Sequence, residues 1–253
     1  MPSQAEIEEF QTDLDVLTTL AVAEATAAVT ATDDDDAEEA ADILVEAYPE
    51  LLVPFLSAAG ELAADWYRQL TPRELPGQEP GAPELIVGAA TRQALAAAAE
   101  FEPTVVDAPP REQLEASVRW ALFAPTDLDA RPVRSRLAGA TQRYVSNSAR
   151  QTLERNVSHE GARWARHASA NACAFCRMLA TRGAVYSSET AAGGDKYHDD
   201  CHCLPVPIRP GDSYQPPPYV TEWDRQYAAA TREARGTRAV LAHMRAHSPA
   251  SSR

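Results

Sequence analysis

All four cysteines of this 253-residue chain lie between Cys173 and Cys203, spaced C-x2-C-x21-H-x2-C-x-C with His198 as the imidazole. Four thiols in so short a window admit three explanations: disulfides, a redox pair or a metal site. The start, "MPSQAEIEEF", has neither the basic nor the apolar region of a secretory leader, so a non-secreted chain with reduced thiols is expected. A redox pair needs only Cys173 and Cys176. It leaves Cys201, Cys203 and His198 unexplained, and no βαβ pattern surrounds the C-x2-C. A metal site draws on both groups. Cys173 and Cys176 open a helix, "NACAFCRMLATRG", that Gly183 ends. The second group lies on a turn over 197–203 that leads into a strand. Two short elements donating two ligands each build a tetrahedral zinc site. The candidates for four places are Cys173, Cys176, His198, Cys201 and Cys203, with His202 as a sixth. Cys173, Cys176 and His198 are the first choices, completed by Cys201 or Cys203. A site of three or four thiolates has no open position, so its Zn2+ is expected to be structural.

The rest of the chain reads as helix. Residues 4–30 carry Ile7, Phe10, Leu14, Leu17 and Ala21 at spacings of three and four. Thr32 and Asp33 are suitable caps for a second helix that ends at Pro49. A third covers 50–70, with Pro54 in its first turn. "TPRELPGQEPGAPE" is a linker, "LIVGAATRQALAAAAEF" an alanine-rich helix, "EPTVVDAPP" extended and "REQLEASVRWALF" a short helix. A long helix runs from Val133 to about Asn156 with an apolar stripe of Leu137, Ala140, Tyr144, Ala149 and Leu153, and arginines around it. "GARWARHAS" is a short strand with Trp164 and Ala168 on one face and Arg163 and His167 on the other. A C-terminal helix breaks at Gly236. The fold class is therefore mainly α. It divides into an acidic helical region (1–70), a proline-rich linker with short helices (71–130), a small α+β zinc module with a long leading helix (131–220) and a C-terminal helix or tail (221–253).

Charge limits the partners. Residues 1–70 hold seventeen acidic residues and one basic residue, Arg68, within a net charge of −14. Such a front repels nucleic acid and anionic membrane. Residues 131–170 reverse the balance, with eight arginines against Glu154 and Glu160. They either neutralise the acidic half or touch DNA without sequence specificity. The most apolar stretch, "ILVEAYPELLVPFLSAAG", is interrupted by Glu46, Pro49, Glu50 and Pro54, so no membrane span is expected. Twenty-two arginines against one lysine, with abundant alanine, suit a GC-rich genome.

"CAFCRMLATRGAVY", a Gly-Gly stretch, "YHDDCHC" and "YQPPPYV" together resemble the C-terminal module of the MuF-like bacteriophage minor capsid, or head morphogenesis, proteins, in the form found in actinobacteriophages. The similarity spans about 133–220. The commoner form of that family has Pro after the His and Arg between the last two cysteines, where this chain has Asp199 and His202. The resemblance implies a portal-associated protein, present in a few copies inside the capsid after assembly in the host cytoplasm. Its partners would be the portal, scaffold or major capsid protein, with packaged DNA within reach of the 131–170 arginines. Proteins of this type are often labelled capsid maturation proteases. No catalytic motif supports that label here: G-x-S-x-G is absent, and His159-Glu160 lacks the second His of H-E-x-x-H because Arg163 stands there. Ser146, Ser148 and His159, or Ser187 and His198, could meet only through folding.

Overall fold

The computed structural model describes residues 2–32, 36–70, 101–125, 128–187, 197–209 and 212–247. Helix α1 (Gln4–Ala31) opens on a capping box. Ser3 Oγ accepts from the Glu6 amide, and the Glu6 carboxylate accepts from the Ser3 amide. Ile7, Phe10, Leu14, Thr18, Ala21, Ala25 and Val29 form its buried stripe. The alanine-rich helix expected after residue 84 and most of the linker lie outside the described residues.

The two helices expected over 33–70 are one, α2 (Ala37–Gln69), with Pro49 and Pro54 inside it. Its cap is Asp36, whose Oδ1 accepts from the amides of Glu38 and Glu39 at 2.9 Å. Thr32 instead closes α1. Each interior proline removes one helical hydrogen bond, at a cost near ~3 kcal/mol. What carries the helix through them is the stripe Leu44, Tyr48, Leu52, Leu56, Ala59, Ala63 and Tyr67, buried on both sides of the interruptions. Arg111 adds a brace outside, pairing with Glu50 at 2.6 Å and donating to the Glu46 carbonyl at 3.1 Å. By length and composition α1 and α2 could each cross a bilayer; here both lay their stripes against other helices of the same chain.

Helix α3 (Arg111–Phe123) covers α2, and α4 (Val133–Glu160) is the centre of the structure. The stripe foreseen for α4 is buried, but so is most of its circumference, including Arg136, Thr141, Gln142, Ser148, Arg150, Thr152, Glu154 and Asn156. These polar groups hold backbone in place. Ser148 Oγ donates to the Leu56 carbonyl at 2.7 Å. Asn156 takes both the amide and the carbonyl of Thr104 at 2.8 Å. Thr152 accepts from the Val106 amide at 3.2 Å, so 101–106 is bonded to a helix as a strand would be to a neighbour.

Gly60 lies at this crossing. A methyl group there would stand 2.4 Å from Val105 Cγ1 and 3.4 Å from Ser148 Oγ. Gly60→Ala is expected to lower stability by about 1–3 kcal/mol despite the better helix propensity of alanine, read as a shift in thermal midpoint.

Gly161 (φ 70) ends α4 and turns the chain into β1 (Arg163–His167), which pairs antiparallel with β2 (Leu204–Ile208) in the register Trp164↔Pro207 and Arg166↔Pro205. Pro205 and Pro207 share a parity, so both missing amides face away from β1 and the ladder loses nothing. The Trp164 amide and carbonyl face the opposite way, bonding Tyr186 at 2.8 and 3.3 Å. The expected two-faced alternation fails: in β1 only Arg163 is exposed. The two-stranded sheet touches α4 and also α5 (Ala174–Ala180), so both faces are covered.

One of the covered residues is His167, 3% exposed, with Nδ1 lacking a partner and its pKa pushed down to about 4 by burial. The folded chain keeps this ring neutral, whereas the unfolded chain protonates it below about 6.5. Stability should therefore fall as pH drops from about 6.5 toward 4, and His167→Gln should flatten that part of the pH–stability curve relative to wild type.

Helices α6 (Val220–Glu233) and α7 (Thr237–Ala246) follow, broken at Gly236 as expected. One apolar core runs from Ile7 through Tyr48, Leu114, Leu153 and Trp164 to Met244. A buried clasp reinforces it: Arg209 Nε pairs with Glu160 at 2.7 Å, Arg209 Nη1 donates to the Leu70 carbonyl at 2.7 Å, and the Tyr67 hydroxyl donates to Glu160.

Candidate metal centre

A second, smaller core of Ala168, Ala172, Ala180, Tyr197, Val220 and Trp223 surrounds the cysteines. Cys176, Cys201 and Cys203 are 0%, 3% and 2% exposed, and their sulfurs lie within 4.8 Å of one another. Cys176 and Cys201 are 3.7 Å apart. The edge of a tetrahedron with metal–sulfur bonds of about 2.3 Å is about 3.8 Å, so this spacing fits a tetrahedral thiolate site. These three buried cysteines are close enough to bind one metal ion. The compact triple thus contains both Cys201 and Cys203, while Cys173 and His198, two of the first choices from sequence, stand at its edge.

Cys173 is the half-buried N-cap of α5, its sulfur accepting from the Cys176 amide at 3.5 Å. Its thiol is pulled down to about 4, first by the Cys176 thiol and then by His198. The exposed His198 ring is raised to about 9 by the Cys173 thiol beside it. Within the triple, hydrogen bonds from Cys176 and Cys203 hold Cys201 well below the ordinary thiol value, whereas the neighbouring thiols and burial hold Cys176 well above it. A metal replaces such shared protons. His202, the sixth candidate, is turned away: its Nδ1 meets Asp15 of α1 at 2.9 Å.

The loop that carries Cys201 and Cys203 is shaped from α4. Gln142 Nε2 donates to the Cys201 carbonyl at 3.0 Å and its Oε1 accepts from the Asp200 amide at 2.9 Å, holding Asp200 at φ 59. Arg150 donates to the Cys203 carbonyl at 2.8 Å and to that of Cys201. Asp199, where the commoner pattern has proline, bonds Arg131 at 3.1 Å and Arg143 at 3.3 Å and lies against Gly139, whose missing side chain leaves it room. From α1, Gln11 donates to the His202 carbonyl at 2.8 Å.

Buried cations face the thiols. Tyr197 is sandwiched between the guanidiniums of Arg150 at 4.3 Å and Arg166 at 4.1 Å, and its hydroxyl donates to Glu154 at 2.8 Å. Arg166 is 0% exposed, its Nη1 points at Cys176 Sγ from 3.7 Å, and its Nε and Nη2 have no partner. A wholly buried guanidinium needs a nearby anion. Metal-bound thiolates supply one, so the donor set and its surroundings agree. Sequence reading missed Arg150, Arg166, Gln142 and Tyr197. Their signal was present only as polar residues at positions that a helix and a strand bury.

Part of the expected basic surface of 131–170 is taken into the fold, while Arg134 and Arg163 stay exposed. Arg136, Arg150 and Arg166 are buried, and Arg131 and Arg143 are paired with Asp199. The acidic helices meet α4 through apolar stripes. No serine–histidine pair forms among the described residues. Ser148 bonds the Leu56 carbonyl, and Ser146 Oγ accepts from Gln142 at 3.2 Å.

Among known proteins, no curated protein and no solved structure matches the chain. A family model described as VG15 protein matches residues 1–82 and 89–230, which takes in α1, α2, the long central helix and the whole cysteine window. The chain belongs to the VG15 protein family, a family of phage gene products.

Proposed function

We propose that the chain is a minor structural protein of a bacteriophage head, of MuF-like character, that acts in procapsid assembly and is stabilised by one structural zinc ion. The single observation that carries this reading is the buried triple Cys176, Cys201 and Cys203, closed from inside by Arg150 and Arg166. With a fourth protein ligand, such a donor set fixes a fold and leaves no position for a metal-bound water. Cys173 or His198 supplies the fourth ligand. Membership in a phage family and the resemblance over 133–220 support the head role. Partners are the portal, scaffold or major capsid protein, not a membrane. Quantitative mass spectrometry of purified procapsids and virions tests it: a few copies per particle are expected. Absence from both particles would overturn the head role. Metal analysis of the purified chain is expected to give about one zinc per chain.

One observation favours the second reading, a capsid maturation protease. The half-buried Cys173 sits at a helix start beside His198, which is a nucleophile next to a base. Incubating wild type and Cys173→Ser with the cognate major capsid protein separates the two. The structural role predicts no cleavage by either; cleavage lost in the variant would establish the protease.

A further inference from the structure

The turn between α6 and α7 closes over a cavity of about 260 Å³ lined by Arg182, Arg235, Tyr227, Thr231 and Thr237, with apolar walls and no carboxylate. The Thr231 hydroxyl is occupied by the Ala228 carbonyl at 3.0 Å, which leaves two guanidiniums and two hydroxyls to face a ligand. Arg182 also reaches the Tyr186 hydroxyl. Helix α7 begins at this wall. Its N-cap is Gly236, no side chain accepts from its first amides, and no acidic residue lies in its first turn. Partial positive charge from the helix end and full charges from two arginines therefore collect in one place, an arrangement that repels itself until an anion enters.

The charge continues beyond the cavity. Arg232, Arg238 and Arg245 are exposed, and none has a carboxylate partner among the described residues. Of the nearby acids, Glu222 pairs with Arg225, and Glu233, beside Arg232, pairs with His243 of α7. Arg238 and Arg245 are seven apart on α7, so they share a face about 10 Å apart along the axis. A row of that length exceeds what one small anion can neutralise and suits a chain of phosphates.

We propose that this surface binds the phosphate backbone of nucleic acid without sequence specificity, one phosphate lodging between Arg182 and Arg235 at the start of α7 and its neighbours meeting Arg238 and Arg245. The site is separate from the metal centre and from the 131–170 arginines first expected to face DNA. With a net charge of −14, the chain as a whole repels a polyanion, so any binding must be local.

The test is fluorescence anisotropy of the full-length protein with a labelled random duplex of about 30 bp, at NaCl from about 50 to 250 mM. Binding is expected, with log affinity falling against log salt with a slope of about −3 to −4, as for four phosphate contacts. Arg235→Gln/Arg238→Gln/Arg245→Gln, whose fold is checked by circular dichroism, should lose at least about 10-fold in affinity and flatten the slope by two to three. Arg245→Glu alone, at the far end of α7, should give a smaller loss of the same sign. Arg163→Gln, at an exposed arginine of 131–170, should bind as wild type does. No binding at about 50 mM salt, or a triple variant that binds like wild type, overturns the proposal. Capture by phosphatidylserine vesicles without DNA binding also overturns it and assigns the surface to lipid headgroups.

Discussion

Cys176→Ser is expected to unfold the whole chain in one transition, not the C-terminal third alone. The residue has 0% exposure, lies 3.7 Å from Cys201 and faces the buried Arg166 guanidinium. Replacing its sulfur removes one donor of the proposed zinc site together with the group that the Arg166 guanidinium faces. Structural zinc contributes apparent binding energies of about 10–16 kcal/mol in small domains, as large as the entire stability of a typical protein. On the divisions read from the sequence, with the zinc module confined to 131–220, the first 130 residues would keep their helices in such a variant. The structure argues otherwise, because α1 is tied to the Cys201–Cys203 loop through Gln11 and Asp15, and one core spans both regions. Far-ultraviolet circular dichroism of wild type, of Cys176→Ser and of wild type with a chelator decides this. The expected result is loss of most helical signal in both perturbed samples; retention of about half would restore the two-part picture.

Glu160→Gln should cost about 3–5 kcal/mol, close to the effect of Arg209→Met. Both side chains of the pair are nearly inaccessible, 7% and 6% exposed, so the loss of one charge takes from the other a buried counter-charge 2.7 Å away. Arg209 also holds the Leu70 carbonyl at the end of α2 and lies over the Tyr67 ring at 4.8 Å. The double variant Glu160→Gln/Arg209→Met should be less damaging than the sum of the singles, since the second change removes the charge that lost this partner in the first. Denaturant midpoints of the four proteins in the cycle measure it. Additive effects would show that the two groups act independently.

How much of this was legible beforehand depended on the kind of signal. Helix α1, the short helix at 111–123, the strand at Trp164 and the break at Gly236 follow from spacing and from local chemistry at the chain's turns. The cysteine window was legible because thiols are scarce and metal geometry is demanding. Pro49 and Pro54 misled, because local rules stop a helix at proline, whereas the buried side chains on either side outweighed two lost hydrogen bonds. The arginines of 131–170 misled for a similar reason. Composition counts charges, but Arg150 and Arg166 become interior groups only once Tyr197 and the cysteine loop arrive beside them. Asp199 looked like a departure from a metal-binding pattern. It is the peg that fastens the loop to Gly139, Arg131 and Arg143.

The hydrogen bonds of Gln11 and Asp15 with His202, one donated by Gln11 and one accepted by Asp15, join positions 191 and 187 residues apart. During synthesis at about 5–20 residues per second, the first helix therefore waits roughly ten seconds or more for the loop that receives it. Until α3 and α4 emerge, α1 and α2 have only each other and solvent, with Phe10 stacked on Trp66 at 4.4 Å as their earliest aromatic contact. The seventeen carboxylates of the first 70 residues then act as a solubility tag on a nascent chain whose apolar stripes are still uncovered.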